Sequence, residues 1–161
     1  TFNQEQDYWA GYKANERALI IKHGQDLGDM LQTTYIPPYP AIDTDNGTLG
    51  TTVLQALANS RTLDNEVERI DFLKQESFKP RYEDWVANLC GNLGYKTRRA
   101  LFKNMMSGDI WLHNGCLKIS PSRHVKLEAW DAIDADDVIL SLDNSPEEIG
   151  SGLRLVLSRC R

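Results

Sequence analysis

The chain has 161 residues, 41% of them hydrophobic and 25% charged, with a formal net charge of −5. That length and composition suit one globular domain spanning 1–161, large enough to bury a core without a metal or disulfide staple. No run of about 18 apolar residues exists, which argues against a membrane-spanning helix, and the net acidity argues against a general nucleic-acid binder.

Thr1 stands where a Met would open a chain, and reads as a missing or trimmed start. The polar and aromatic opening through Glu16 predicts a short helix carrying Tyr8, Trp9 and Tyr12. Ala18-Leu19-Ile20-Ile21 is a short apolar run and reads as a buried strand. Thr33-Thr34-Tyr35-Ile36 is rich in β-formers and stops at Pro37-Pro38; a loop through Pro40, Asp43, Asn46 and Gly47 follows. Leu49, Val53, Ala56, Leu57 and Ser60 fall on one face of a helix. Asp64 to Lys79 is charged with scattered apolar residues and takes no assignment. A second helix, with Pro80 as its first residue, aligns Tyr82, Trp85, Val86 and Leu89 and ends at Gly91 or Gly94.

Asn114-Gly115, between Asp109–His113 and Cys116–Ile119, predicts a two-residue type I′ hairpin, because both turn positions need positive φ. That turn fixes the register. Leu112 then faces Leu117 and Ile110 faces Ile119 on the core side, while Trp111 with Lys118 and His113 with Cys116 fall on the other. Val138–Leu142 reads as a further strand. A last helix starts at Ser145-Pro146, with Glu148 completing a capping box, and buries Ile149, Leu153, Val156, Leu157 and Cys160. Leu49-Gly50-Thr51-Thr52-Val53 aligns with Ile149-Gly150-Ser151-Gly152-Leu153. The match fits a duplicated strand–helix unit or one helix recipe used twice, and the early Gly of each helix permits close packing on a sheet. Irregular interleaving of strands and helices predicts an α+β fold: a mixed or antiparallel sheet with a β-hairpin, packed against several helices.

The charge is unevenly distributed. Residues 94–126 hold seven bases (Lys96, Arg98, Arg99, Lys103, Lys118, Arg123 and Lys126) against the single acid Asp109. Residues 127–153 hold eight acids (Glu128, Asp131, Asp134, Asp136, Asp137, Asp143, Glu147 and Glu148) and no base. Such blocks either steer an oppositely charged partner or neutralise one another within the fold.

Motifs for chemistry are incomplete. Gly91-Asn92-Leu93-Gly94-Tyr95-Lys96-Thr97 has Tyr95 where a phosphate loop needs glycine, and a helix precedes it where a strand should. His113 and Cys116 make a cross-strand pair without a second ligand pair or an evident oxyanion hole. Asp131, Asp134, Asp136 and Asp137 lack the glycine and the spacing of a calcium loop. The basic block with Tyr95, Phe102 and Trp111 has the ingredients of a single-strand binder but no recognised signature. Three widely spaced cysteines, Cys90, Cys116 and Cys160, suit reduced thiols in a cytoplasm. No catalytic set, metal site or cofactor is assigned, which favours a binding protein over an enzyme.

Several segments together carry a family resemblance: Asn15-Glu16-Arg17-Ala18-Leu19-Ile20-Ile21-Lys22, Arg81-Tyr82-Glu83-Asp84-Trp85-Val86, Gly94 through Met105, Ile119-Ser120-Pro121-Ser122 with Lys126-Leu127-Glu128-Ala129-Trp130, and Ile149-Gly150 through Leu153-Arg154-Leu155. In their order and spacing, from about Tyr12 to Cys160, the chain resembles the CdiI family of bacterial contact-dependent growth inhibition immunity proteins. The resemblance implies a small cytoplasmic protein whose partner is the cognate C-terminal toxin domain delivered by a neighbouring cell. It also implies that the domain is a nuclease, a ribonuclease being favoured, and that neither membrane nor nucleic acid is bound directly. It transfers no contact residue, because those differ between cognate pairs. A nuclease attracts a polyanion with a basic cleft, and carboxylates can mimic that substrate. The candidate contacts are therefore Asp131, Asp134, Asp136 and Asp137, joined by Asp143 and Glu148, with the hairpin face around Trp111 second. The alternatives are a nucleic-acid-binding protein using residues 94–126 and a small hydrolase using Cys116 and His113.

Overall fold

The computed structural model describes residues 2–26, 32–34, 44–62 and 75–161. Asp7–Ala14 is a strand, β1, and not the short helix read from its aromatic residues. Tyr8 and Tyr12 are four apart, a spacing that satisfies both a helical and an extended period. What separates the two is the flanking pattern: Tyr8, Ala10, Tyr12 and Ala14 pack into one core while Trp9 and Lys13 face the other way. Two neighbours then fix it, because β2 (Leu19–Asp26) and β5 (Met106–His113) pair antiparallel along its two sides.

The main sheet has the order β3-β2-β1-β5-β6-β9, antiparallel throughout, where β3 is Gln32–Thr34, β6 is Cys116–Ile119 and β9 is Val138–Ser141. A two-residue β4, Arg61–Thr62, runs parallel to the end of β2. β7 (Ser122–Lys126) and β8 (Ala129–Ala132) form a separate ribbon. Tyr35, Ile36, Pro40 and Asp43 lie outside the described residues, as does most of the unassigned segment 64–79.

The hairpin has the register its turn dictates, pairing Ile110 with Ile119, Trp111 with Lys118, Leu112 with Leu117 and His113 with Cys116. Asn114 and Gly115 both sit at positive φ, 49° and 77°. Asn46 and Gly47 open helix α1 (Asn46–Ala58) instead of ending a loop, since the Asp45 carboxylate accepts the Thr48 N–H at 2.9 Å and caps it. Ser60 falls just beyond that helix. Helix α2 begins at Gln75, so Pro80 lies within it and not at its first position. The proline removes one bond, to the carbonyl of Glu76, while Val86 and Leu89 downstream anchor the helix in a core. It ends at Gly94, where the Tyr95 N–H closes back on the Cys90 carbonyl at 2.9 Å. The glycines of the phosphate-loop lookalike thus serve a helix end. Thr97 caps the short α3 (Arg98–Phe102). Ser145, Pro146 and Glu148 build the capping box of α4 (Pro146–Arg159), as read.

Helices α1 and α4 cover one face of the sheet, burying Leu49, Val53, Leu57, Ile149, Leu153 and Val156 against Tyr12, Ile110, Leu112 and Leu117. The early glycines pack the two helices on each other and not on the sheet. A Cβ on Gly50 would come within 2.6 Å of the Pro146 carbonyl carbon, and one on Gly150 within 2.6 Å of that of Asn46. The two contacts are reciprocal, and the two helices start at an offset of one hundred residues, with Gly50 and Gly150 in equivalent positions. The opposite face carries a second core of Ala18, Ile20, Val86, Leu89, Leu101, Phe102 and Met105, closed by Trp130 from the ribbon. Beneath Trp130 lies Lys13, only 8% exposed. Its Nζ donates to Ser107 Oγ at 2.9 Å and sits 4.1 Å from the Trp130 ring centroid. Burial lowers its pKa to about 8, against the pull of Asp109 and Glu128. Beyond this second layer lie the outward residues of β6, β9 and the adjoining ends of β1 and β5, half-buried at Trp9, Trp111, Cys116 and Lys118 and exposed at Asp7 and Ile139.

Candidate partner-binding surface

The structure divides the acidic stretch. Glu128 turns inward: Arg98 grips it through Nε and Nη2, both at 2.7 Å, and Tyr82 donates its hydroxyl to it at 2.6 Å. The guanidinium holds the Glu128 carboxyl below the usual carboxylate range, while burial and the same hydrogen bond push the Tyr82 hydroxyl up. Arg98 also bonds Glu83 at 2.6 Å, so this cation of the basic block is committed internally.

Asp131 stands exposed on β8 opposite Arg123, and Asp134 is exposed on the 3-10 turn Asp134–Asp136. Asp136 receives Arg161 at 3.3 Å on its carboxylate and Arg159 on its backbone carbonyl. Asp137 lies 4.0 Å from Lys118 Nζ, and its Oδ1 is buried with no hydrogen-bond partner among the described residues. Bases distant in sequence therefore meet three of the eight acids, Glu128, Asp136 and Asp137, in a run that has no base of its own. Asp143 and Glu148 lie beyond the other end of β9, about 14 Å along a strand of that length. Glu148 is engaged in the capping box, whose hydrogen bonds from Ser145 hold its carboxyl below the ordinary range. The predicted contacts thus fall into a rim, Asp131 to Asp137, and a separate pair.

Trp111 lies beside the rim. The sheet register aligns Trp9, Trp111, Lys118 and Ile139 in one row across β1, β5, β6 and β9, all on the face away from α1 and α4. The two indole rings are 6.1 Å apart and the Lys118 ammonium is 5.3 Å from the Trp111 centroid. Ile139 is 59% exposed. The next row holds Asp7, His113, Cys116 and Ser141. His113 stacks on Trp111 at 5.7 Å and sets Nδ1 2.6 Å from Asp7 Oδ1. Lys118, between Trp111 and Asp137, joins the tryptophan row to the acidic rim. Trp9 and Ile139 escape a reading that takes a short helix from the opening stretch through Glu16 and assigns no outward face to the strand Val138–Leu142; strict alternation along each strand would have placed both outward.

The rival readings find less. Register places Cys116 beside His113, yet no hydrogen bond joins them among the described residues. No group of three His, Cys, Asp or Glu residues there is placed to hold a metal. Of the three rings proposed to stack on nucleic acid, Phe102 is fully buried and Tyr95 has Arg17 over its face at 4.2 Å. No described helix is long and apolar enough to cross a membrane.

Comparison with known proteins bears on the family. The family model for CDI immunity protein, CdiI, matches residues 8–160. The chain belongs to the CdiI family. Immunity protein CdiI-YPIII of Yersinia pseudotuberculosis serotype O:3 (strain YPIII) is 37% identical over 171 residues, covering 96% of this chain and 88% of the relative. Among solved structures, a Neisseria meningitidis protein of unknown function is 73% identical with a TM-score of 0.90, covering 100% of this chain and 99% of its own. A chain of the CdiA-CT/CdiI toxin and immunity complex from Yersinia pseudotuberculosis is 34% identical with a TM-score of 0.80, covering 97% and 98%. The CdiI match extends slightly further toward the N-terminus than the resemblance read from sequence, and takes in Tyr8 and Trp9 of β1.

Proposed function

We propose that this CdiI-family protein neutralises a CdiA-CT toxin domain in the cytoplasm by binding it, and that the toxin is a nuclease. Binding rather than catalysis is the activity. The similarity to a chain of a toxin and immunity complex over nearly its full length is the observation that supports this most. The nuclease assignment draws on charge. Asp131 and Asp134 are exposed and have no ion-pair partner among the described residues. A basic cleft supplies the donors that these groups lack, and the shared field speeds its approach.

Changing Asp134, Asp136 and Asp137 together to Lys tests the contact. Three charge pairs worth about 1 kcal/mol each correspond to about a hundredfold weaker binding at low salt, with a shallower salt dependence. Affinity and salt slope equal to wild type would refute the acidic rim as the contact. Incubating the free toxin domain with tRNA and with plasmid DNA, with and without this protein, tests the nuclease. Cleavage of neither substrate refutes that assignment.

A further inference from the structure

We infer that the row Trp9–Trp111–Lys118–Ile139 is the apolar centre of the toxin interface, with the acidic rim as its margin. The inference rests on the toxin-binding reading and names how that binding is anchored. Four strands about 4.8 Å apart set outward residues in two rows, in which the apolar Trp9, Trp111 and Ile139 lie together among polar neighbours, Trp9 and Trp111 half-buried and Ile139 exposed; such a mixed patch spans a few hundred Å², about the size of the functional patches on soluble proteins. It is less than the roughly 800 Å² per partner of a stable complex, so the patch must continue into neighbouring surface. The continuation lies through Lys118, which touches Trp111 on one side and Asp137 on the other. Asp7 bounds the opposite corner. The composite has two indoles and an isoleucine at the centre and carboxylates at the edge. It fits a partner with an apolar anchor and a basic border, the charge pattern that a nuclease surface presents. Half-buried tryptophans surrounded by a polar rim are the residue type and setting in which interface energy concentrates. Lys118 also gains a role: an arriving Lys or Arg that pairs with Asp137 displaces its ammonium, which stays over the Trp111 ring.

The test uses the full chain and its purified cognate toxin domain. Ile139→Lys changes an exposed side chain and leaves the core untouched; it should weaken binding at least thirtyfold. Trp111→Thr should do the same, whereas Leu155→Lys, which alters an exposed leucine on α4 far from the row, should leave affinity within twofold. Because a tryptophan variant can fold poorly, alkylation of Cys116 in the unmodified chain provides a second readout. The toxin should slow modification of Cys116, in the adjacent row, at least tenfold, and leave Cys90 on α2 unprotected. Wild-type affinity in Ile139→Lys together with unprotected Cys116 overturns this inference while the immunity reading stands. A toxin domain that fails to bind the wild-type chain overturns both.

Discussion

Replacing Lys13 with Met should make the protein more stable at neutral pH. The ammonium lies under Trp130 and donates to Ser107, and burial lowers its pKa from 10.5 to about 8. Each pKa unit corresponds to about 1.4 kcal/mol, so keeping Lys13 charged in the fold costs about 3 kcal/mol. The lost hydrogen bond and the lost ammonium–indole contact each offset about 1 kcal/mol, leaving a net gain of about 1 kcal/mol at pH 7. The pH dependence is diagnostic. Below pH 8 both folded and unfolded states are protonated and the whole penalty is present. Between pH 8 and 10.5 the folded lysine releases its proton before the unfolded one does, and the wild type recovers stability. Urea unfolding followed by tryptophan fluorescence should therefore show Lys13→Met ahead at pH 7 and level with or behind wild type at pH 10. A variant less stable than wild type by the same margin at both pH values would refute the reasoning, because the ammonium would then be a net stabiliser of the fold.

Other substitutions discriminate between close approach and open space. Gly150→Ala drives a methyl into the Asn46 backbone and should cost more than about 3 kcal/mol in denaturant unfolding, whereas Gly91→Ala, with nothing within 4 Å, should stabilise α2 by about 0.5–1 kcal/mol. Glu128→Gln removes one of the two carboxylate charges facing Arg98 while keeping an acceptor oxygen, and should cost about 1 kcal/mol at pH 7, since the pair is partly exposed. The Glu128 pKa is lowered in the fold, so its contribution is complete above the unfolded carboxyl range and disappears as the pH falls through the folded value. The variant and wild type should accordingly converge in acid, and an unchanged gap at pH 3 would contradict this assignment.

Local signals proved most readable. Asn114-Gly115 dictates a turn, and the turn dictates which residues oppose each other, so one dipeptide is enough to place Trp111 beside Lys118. Ser145-Pro146 with Glu148 likewise marks a helix start from adjacent residues. The β1 segment reads as helix because tyrosines four apart serve either period, and only the pairing of β2 and β5 with it decides between them. The same limit applies to the surface. The acids of residues 128–148 are visible as a run, but the bases that meet them, Arg98, Arg159 and Arg161, arrive from other elements. Glu128 is thereby tied into the fold and Asp136, one of the candidate contacts, is partly screened. The tryptophan row was half legible: Trp111 follows from the hairpin, while Trp9 and Ile139 depend on strand pairings between distant parts of the chain. Family membership was legible because it rests on ordered segments along nearly the whole sequence.

The reciprocal glycine contact between α1 and α4 also constrains synthesis. Helix α1 follows the strands at one edge of the sheet and α4 follows β9 at the other, so their crossing clasps the two edges together. Neither helix can complete its packing alone, and the contacts that lock them span one hundred residues of sequence. Closure over so long a loop is slow relative to local structure. A nascent chain therefore cannot acquire its finished core until α4 has emerged from the ribosome.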